Sequence, residues 1–200
     1  MPALRAVADL EDAPARGDGM VSGVTQPAYD AVWINGSVGA GKTTTAEQLG
    51  EELEKRGIPG AVIDVDWLRR AWPSPPEDPF QFELALANMR AIAAQFHARG
   101  AQVIVAAGVV ETAGQFDGCV RALESEHPLL VRLVLDADVA LARLRVRHGD
   151  NANEREWHER RHPELAGILE RVEFGDELVL DSSSLSVSDI AVQIADRITN

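Results

Sequence analysis

The sequence predicts an α/β fold, a five-stranded parallel sheet covered by helices on both faces, for three reasons. Apolar runs at 31–35, 60–65, 101–107, 129–135 and 177–181 recur along the 200 residues, and helical periodicity fills the gaps between them. Gly36 to Thr43 reads Gly-Ser-Val-Gly-Ala-Gly-Lys-Thr, a complete G-x-x-x-x-G-K-[ST] phosphate loop placed between the first run and an amphipathic segment. The length suits one such domain, with at most a small inserted cap and no room for a second full domain.

Residues 1–28 mix Pro2, Pro14 and Pro27 with glycines and scattered acids and hold no periodicity, so a disordered tail is expected ahead of a domain at 29–200. Met20 could serve as an alternative start. Ala31-Val32-Trp33-Ile34 begins the first strand, and a helix at 42–56 ends near Gly57. The strand at 60–65 leads into helical pieces between 67 and 99. After the strand at 101–107 comes a helix near 113–126, then the strand at 129–135 and a helix at 138–147. The stretch 148–162, rich in Asn, Glu, Arg and His, is too polar for a core and is expected to be irregular, a mobile lid. A helix near 163–172, the strand at 177–181 and a helix at 187–198 complete the chain; Ile190, Ile194 and Ile198 repeat at i, i+4 and read as core.

Composition narrows the function. The net charge of −13 disfavours nucleic acid or an anionic membrane as the main partner. Cys119 is the only cysteine, which excludes an intrachain disulfide and a cysteine zinc cage and fits a reducing cytoplasm. No apolar stretch approaches the roughly 20 residues of a membrane span, so no membrane partner is expected. The five histidines have no HExxH or similar ligand spacing.

The phosphate loop carries the main chemical signal. Its glycines let backbone N–H groups curl round a β-phosphate, Lys42 reaches the β- and γ-phosphates, and the Thr43 hydroxyl suits Mg²⁺. The expected nucleotide contacts are therefore Gly36, Ser37, Val38, Gly39, Ala40, Gly41, Lys42, Thr43 and Thr44, with ATP and Mg²⁺ as the ligands. Of the 19 basic residues 17 are arginine and two are lysine, Lys42 and Lys55. The motif therefore takes one of only two lysines, as a compact ammonium fits a phosphate nest better than a wide guanidinium.

In a parallel sheet the ligand crevice lies at the carboxyl ends of the strands. The second strand exits as Ile63-Asp64-Val65-Asp66: Asp64 could orient Mg²⁺, and Asp66 could accept the proton of an acceptor hydroxyl. Alternatively both cap the following helix. Arg69 could hold an anionic part of the acceptor, and Trp67, Trp72, Phe80 and Phe82 could line its pocket or belong to the core. Glu111, after the third strand, either hydrogen-bonds the acceptor or caps the next helix. Arg143 and Arg147 share one helical face, where they could close over phosphoryl charge or pair with exposed acids. Arg155, Arg160 and Arg161 could swing inward when the lid closes, but read first as solvated charges.

Together, the phosphate loop, the D-x-D exit and Asp66-Trp67-Leu68-Arg69 resemble small-metabolite kinases of the P-loop nucleoside-monophosphate-kinase-like class: shikimate and gluconate kinases, adenylylsulfate kinase and chloramphenicol phosphotransferase. Asn88 and Gly100 to Ala106 add likeness to adenylylsulfate kinase. The resemblance implies a three-layer P-loop NTPase fold with sheet order 2-3-1-4-5, a small lid at about 148–162 entered through Arg143 and Arg147, and Asn88 on the acceptor side. It also implies a segment after the fifth strand that passes under adenine. Two departures limit it: the third strand ends Val105-Ala106-Ala107-Gly108 with no Walker B aspartate, and no Asn-Lys-x-Asp guanine motif is present. The function expected is ATP-dependent phosphorylation of a hydroxyl on a small metabolite or antibiotic, with Lys42, Asp66 and Arg147 at the reacting groups. A non-catalytic ATP-binding sensor or resistance protein is one alternative, since a tunicamycin resistance protein has a similar Trp-Ile-Asn-Gly entry to its loop. A nucleotide or polynucleotide kinase is the other.

Overall fold

A computed structural model describes residues 26–149 and 151–200. The core of the fold is a parallel sheet of β1 (Ala31–Gly36), β2 (Gly60–Asp64), β3 (Val103–Ala107), β4 (Pro128–Val134) and β5 (Glu177–Asp181). Its spatial order is β2-β3-β1-β4-β5, as the resemblance implied. Most of the tail expected at 1–28 lies outside the described residues; Ala28 at its end donates its N–H to Ile198 O over 2.8 Å.

Strand pleating divides the core in two. Val32 and Ile34 of β1, with Val103, Val105, Val131 and Leu133, face a layer made by α1 (Lys42–Lys55) and α7 (Val187–Thr199), which supply Leu49, Leu53, Ile190, Ile194 and Ile198. Ala31 and Trp33, with Ile104, Ala106 and Leu130, face α3 (Phe82–Ala98) and α4 (Ala113–Ala122), which supply Ala85, Met89, Ala93 and Cys119. Both faces of β1 are therefore covered, and all six of its residues are buried. Burial pushes the Cys119 thiol up to about 12, so it behaves as a small apolar side chain. Arg56, just past α1, ties the first layer together through Glu52 at 2.9 Å and Asp196 of α7 at 2.8 Å.

Two elements differ from the sequence expectation. β2 stops at Asp64 because Asp64 caps a short helix, α2 (Val65–Leu68), accepting the Asp66 N–H at 2.9 Å. The larger difference is α6 (Ala152–Arg171), which follows α5 (Ala137–His148) and makes most of the polar stretch 148–162 helical. Asn151 caps α6, with its Oδ1 accepting the Glu154 N–H at 3.3 Å, and the helix runs through Pro163. Its buried face, His162, Leu165 and Leu169, is narrow, so a high polar content hid an amphipathic pattern. No helix among the described residues is long and apolar enough to cross a membrane.

Candidate active site

At the carboxyl ends of the strands lies a crevice of about 880 Å³. The loop between β1 and α1 forms one wall. Gly36 sits at φ +149°, and a Cβ there would come within 2.7 Å of Leu133 O, so only glycine lets β1 leave the sheet this close to β4. Gly41, at φ +89°, precedes α1 with no side-chain cap, and a Cβ there would point into open space. The first-turn N–H groups of α1 thus face the crevice without a protein side chain to satisfy them, a fit for phosphate oxygens.

Lys42 crosses back over this loop, its Nζ donating to Gly36 O at 2.9 Å and Ser37 O at 3.1 Å. Burial lowers its pKa from the ordinary 10.5 to about 8, with Arg147 and Arg69 acting in the same direction and Asp66 and Asp64 opposing. Thr43 Oγ1 donates to Asp64 Oδ2 at 2.8 Å. Asp64 thus caps α2 and meets the loop threonine at once, so the two readings of this residue are compatible. Hydroxyl and carboxylate oxygens are the hard donors that Mg²⁺ takes.

Val38, Gly39, Gly41, Lys42, Thr43 and Thr44 line the crevice, whereas Gly36, Ser37 and Ala40 lie behind it. Arg143 bridges two walls, donating to Ser182 O at 2.6 Å and Gly39 O at 3.4 Å, which joins the loop after β5 to the phosphate loop. Arg147 lines the same space one turn on.

Opposite stands Asp66, paired with Arg69 through the guanidinium, whose Nε lies 3.1 Å from Asp66 Oδ1. Arg70 instead stacks on Trp67, with Cζ 4.5 Å from the ring centroid. Trp67 and Phe80 are exposed and line the crevice, so neither belongs to the core. Trp72 is 88% exposed and lies away from the lining, and Phe82 both lines the crevice and packs on the α3–α4 core.

Asn88 is not brought to the crevice: its Nδ2 donates to Leu68 O at 2.6 Å, fastening α2 to α3. Glu111 is in the lining, yet it does not cap α4; Thr112 does, its Oγ1 accepting the Gln115 N–H at 3.1 Å. Glu111 instead pairs with Arg161 of α6, whose side chain is only 16% exposed and also meets Glu164 at 3.0 Å. The reading of Arg161 as a solvated charge is thereby corrected, because α6 turns this residue inward.

Two further residues, Asn35 and His162, escaped the sequence reading. Asn35 is fully buried; its Nδ2 donates to Val110 O at 3.0 Å and its Oδ1 accepts the Gly36 N–H at 2.9 Å, which fixes the start of the phosphate loop against the segment carrying Glu111. His162 is buried, and its Nδ1 lies 3.0 Å from Val38 O; a carbonyl only accepts, so Nδ1 carries the proton and binds α6 to the loop. Trp157, which within a lid could shield the site or pack against the domain, lines the crevice. The i, i+4 series Trp157, Arg161, Leu165, Leu169 held the signal.

A phosphate loop between β1 and α1 of a 2-3-1-4-5 parallel sheet, with arginines converging from a following helical pair, defines a P-loop fold of the nucleoside-monophosphate-kinase-like class. The AAA domain family profile matches residues 32–171, and the chain belongs to that family. Among solved structures, the tunicamycin resistance protein of Deinococcus radiodurans is similar at 22% identity and TM-score 0.54, over 84% of this chain and 94% of that one. A gluconokinase of Sinorhizobium meliloti is similar at 18% identity and TM-score 0.51, over 83% of this chain and 93% of that one. The APS kinase of Mycobacterium tuberculosis, solved in complex with AMPPNP and APS, is similar at 14% identity and TM-score 0.51, over 84% of this chain and 96% of that one. These likenesses concern the fold. No curated protein sequence matches the chain.

Proposed function

We propose that the protein transfers the γ-phosphoryl group of ATP to a hydroxyl of a small metabolite or antibiotic. One observation supports this reading: the Thr43–Asp64 hydrogen bond of 2.8 Å lies in the same crevice as the uncapped loop and the carboxylate of Asp66, so candidates for donor cradle, metal ligands and proton acceptor are within one space. The first-turn amides of α1 and Lys42 hold the triphosphate, and Thr43 and Asp64 hold Mg²⁺, which offsets phosphate charge when bound. Asp66 takes the proton as the acceptor oxygen forms its bond to phosphorus and the bond to the β–γ bridging oxygen breaks, releasing ADP. Arg147, and Arg143 from the nucleotide side, face the charge that spreads over the transferring group. The gain comes from alignment and charge compensation.

Arg69 has two roles in this scheme. It orients Asp66, and it offers a second cation to an anionic acceptor. A carboxylate kept in place by a guanidinium accepts a proton along a fixed direction, which suits a positioned hydroxyl.

A panel of hydroxyl-bearing metabolites and antibiotics, incubated with ATP and Mg²⁺ and scored for the mass gain of one phosphoryl group, tests the proposal. A phosphorylated product formed by the wild type and not by Lys42→Ala is the expected result. Tight ATP binding with no product across the panel selects the binding-only alternative, and saturating competition by nucleoside monophosphates selects the nucleotide kinase.

A further inference from the structure

We propose that His148, Glu154 and His158 form a binding site for a divalent transition-metal ion of the zinc type, which clamps the corner between α5 and α6. One ligand atom from each of these three side chains lies within 4.8 Å of the other two, and no other such group of histidine, cysteine and acidic side chains occurs among the described residues. Glu154 and His158 are four apart in the first turns of α6 and therefore share a helical face, while His148 is the last residue of α5. The sequence concealed the site because its third member precedes a break between two helices.

The immediate surroundings suit a metal. The His158 Nδ1 lies 2.7 Å from Glu154 O, and a carbonyl can only accept, so Nδ1 carries the proton and Nε2 is left with its lone pair. Metal-binding histidines are usually oriented this way, with the second ring nitrogen donating to a backbone carbonyl. Asn151 Nδ2 donates to Glu154 Oε2 at 2.8 Å, which fixes the carboxylate in turn. His148 is the second, independent pointer. Its side chain is 6% exposed, its Nδ1 stands 3.6 Å from Glu154 Oε2, and its Nε2 is enclosed with no hydrogen-bond partner. An enclosed imidazole nitrogen without a partner is costly, and coordination through that Nε2 repays the cost.

Two imidazoles and one carboxylate form the three-ligand set of open zinc sites, and imidazole nitrogen selects such ions over Mg²⁺. Tetrahedral coordination at the usual zinc bond lengths needs ligand atoms ~3.3 Å apart. The rings are stacked at 4.4 Å with 18° between their planes, so loading turns the His148 ring about its Cβ–Cγ bond toward the in-plane lone pair of His158, whose own ring the Glu154 carbonyl holds. His158 also packs edge-on against Trp157 at 4.8 Å, and both line the crevice. A bound ion would therefore hold the start of α6, and the Trp157 wall, in one position.

Titration of the full chain with zinc chloride, in excess Mg²⁺ to occupy the hard oxygen ligands of the phosphate loop, tests the site without any assay of turnover. We expect one Zn²⁺ per chain, a rise in melting temperature on loading, and visible absorption bands of tetrahedral type when Co²⁺ replaces Zn²⁺. His148→Ala and His158→Ala should each weaken the ion at least ~10-fold, while His127→Ala, just before β4 at the amino ends of the strands, leaves it unchanged. His158→Gln, with the fold checked by circular dichroism, separates loss of a ligand from loss of structure. Absence of saturable binding at one equivalent would overturn the site, as would zinc affinity unaltered in folded His148→Ala and His158→Gln variants.

Discussion

On the side of the crevice that the proposed function gives to the donor, the loop from Gly36 to Thr43 offers mostly backbone: N–H groups at the start of α1 and carbonyls that hold Lys42. On the side it gives to the acceptor, Asp66, Arg69, Glu111, Trp157 and Arg161 come from α2, the residue that follows it, the loop after β3, and α6, and what they offer is side chain. The contrast follows from the ligands. A phosphate chain always presents the same oxygens, so a fixed backbone nest suits it. An acceptor differs between enzymes, so the opposite wall is assembled from exchangeable groups on separate segments. Asn35 and His162 join the walls, Asn35 by binding Val110 beside the loop glycine, His162 by reaching the Val38 carbonyl from α6.

If the donor wall is a rigid backbone device, changes there should be severe. Lys42→Ala is expected to abolish phosphoryl transfer, a loss of at least ~10³-fold, measured as product formed per enzyme by mass spectrometry. Gly36→Ala puts a Cβ 2.7 Å from Leu133 O at a left-handed φ, and we expect a stability loss of ~2–4 kcal/mol in denaturant unfolding. A neutral effect would mean that the loop can shift away from β4.

The acceptor wall should respond in pairs. Glu111→Gln and Arg161→Gln, alone and together, should give a coupling of ~1–2 kcal/mol in unfolding free energy, because the pair links two segments and is largely shielded from water. Strict additivity would separate α6 from the site.

The smallest effect expected is the pH dependence of ATP affinity. Burial makes the free Lys42 ammonium release its proton at about 8 rather than 10.5, and ATP binds the protonated form. Affinity is therefore full below that pKa and declines as the pH rises through it, by up to ~10-fold between about pH 7 and pH 9. The same shift acts on folding with the opposite sign: the buried ammonium costs stability below about 8, and the cost fades as the pH rises towards 10.5. Lys42→Met should remove both slopes, which isothermal titration and denaturant unfolding at several pH values would check.

The same division explains what could be read from the chain. The sheet, its helices and the phosphate loop were legible because each is a contiguous pattern: β-runs of apolar residues, a helix started by Lys42, eight loop residues in a row. Asp64 and Asp66 were legible as a strand exit. The partnership of Glu111 with Arg161 was not, since it joins residues 50 apart through a helix whose inward face carries an arginine and a histidine in place of aliphatic residues. Asn88 misled for the converse reason: its place in a family-like pattern says nothing of the nearby Leu68 carbonyl that takes its amide. His148 and His158 had no motif spacing, and only the turn between two helices stacks them.

The account rests on Asp66 serving the acceptor while the loop serves the donor. The most direct test measures ATP affinity and the rate of phosphoryl transfer side by side in Asp66→Asn, with the acceptor that the panel identifies. The account predicts ATP affinity within about threefold of wild type and transfer reduced by ~10²-fold or more. Loss of ATP affinity equal to the loss of transfer, or transfer left intact, would contradict it.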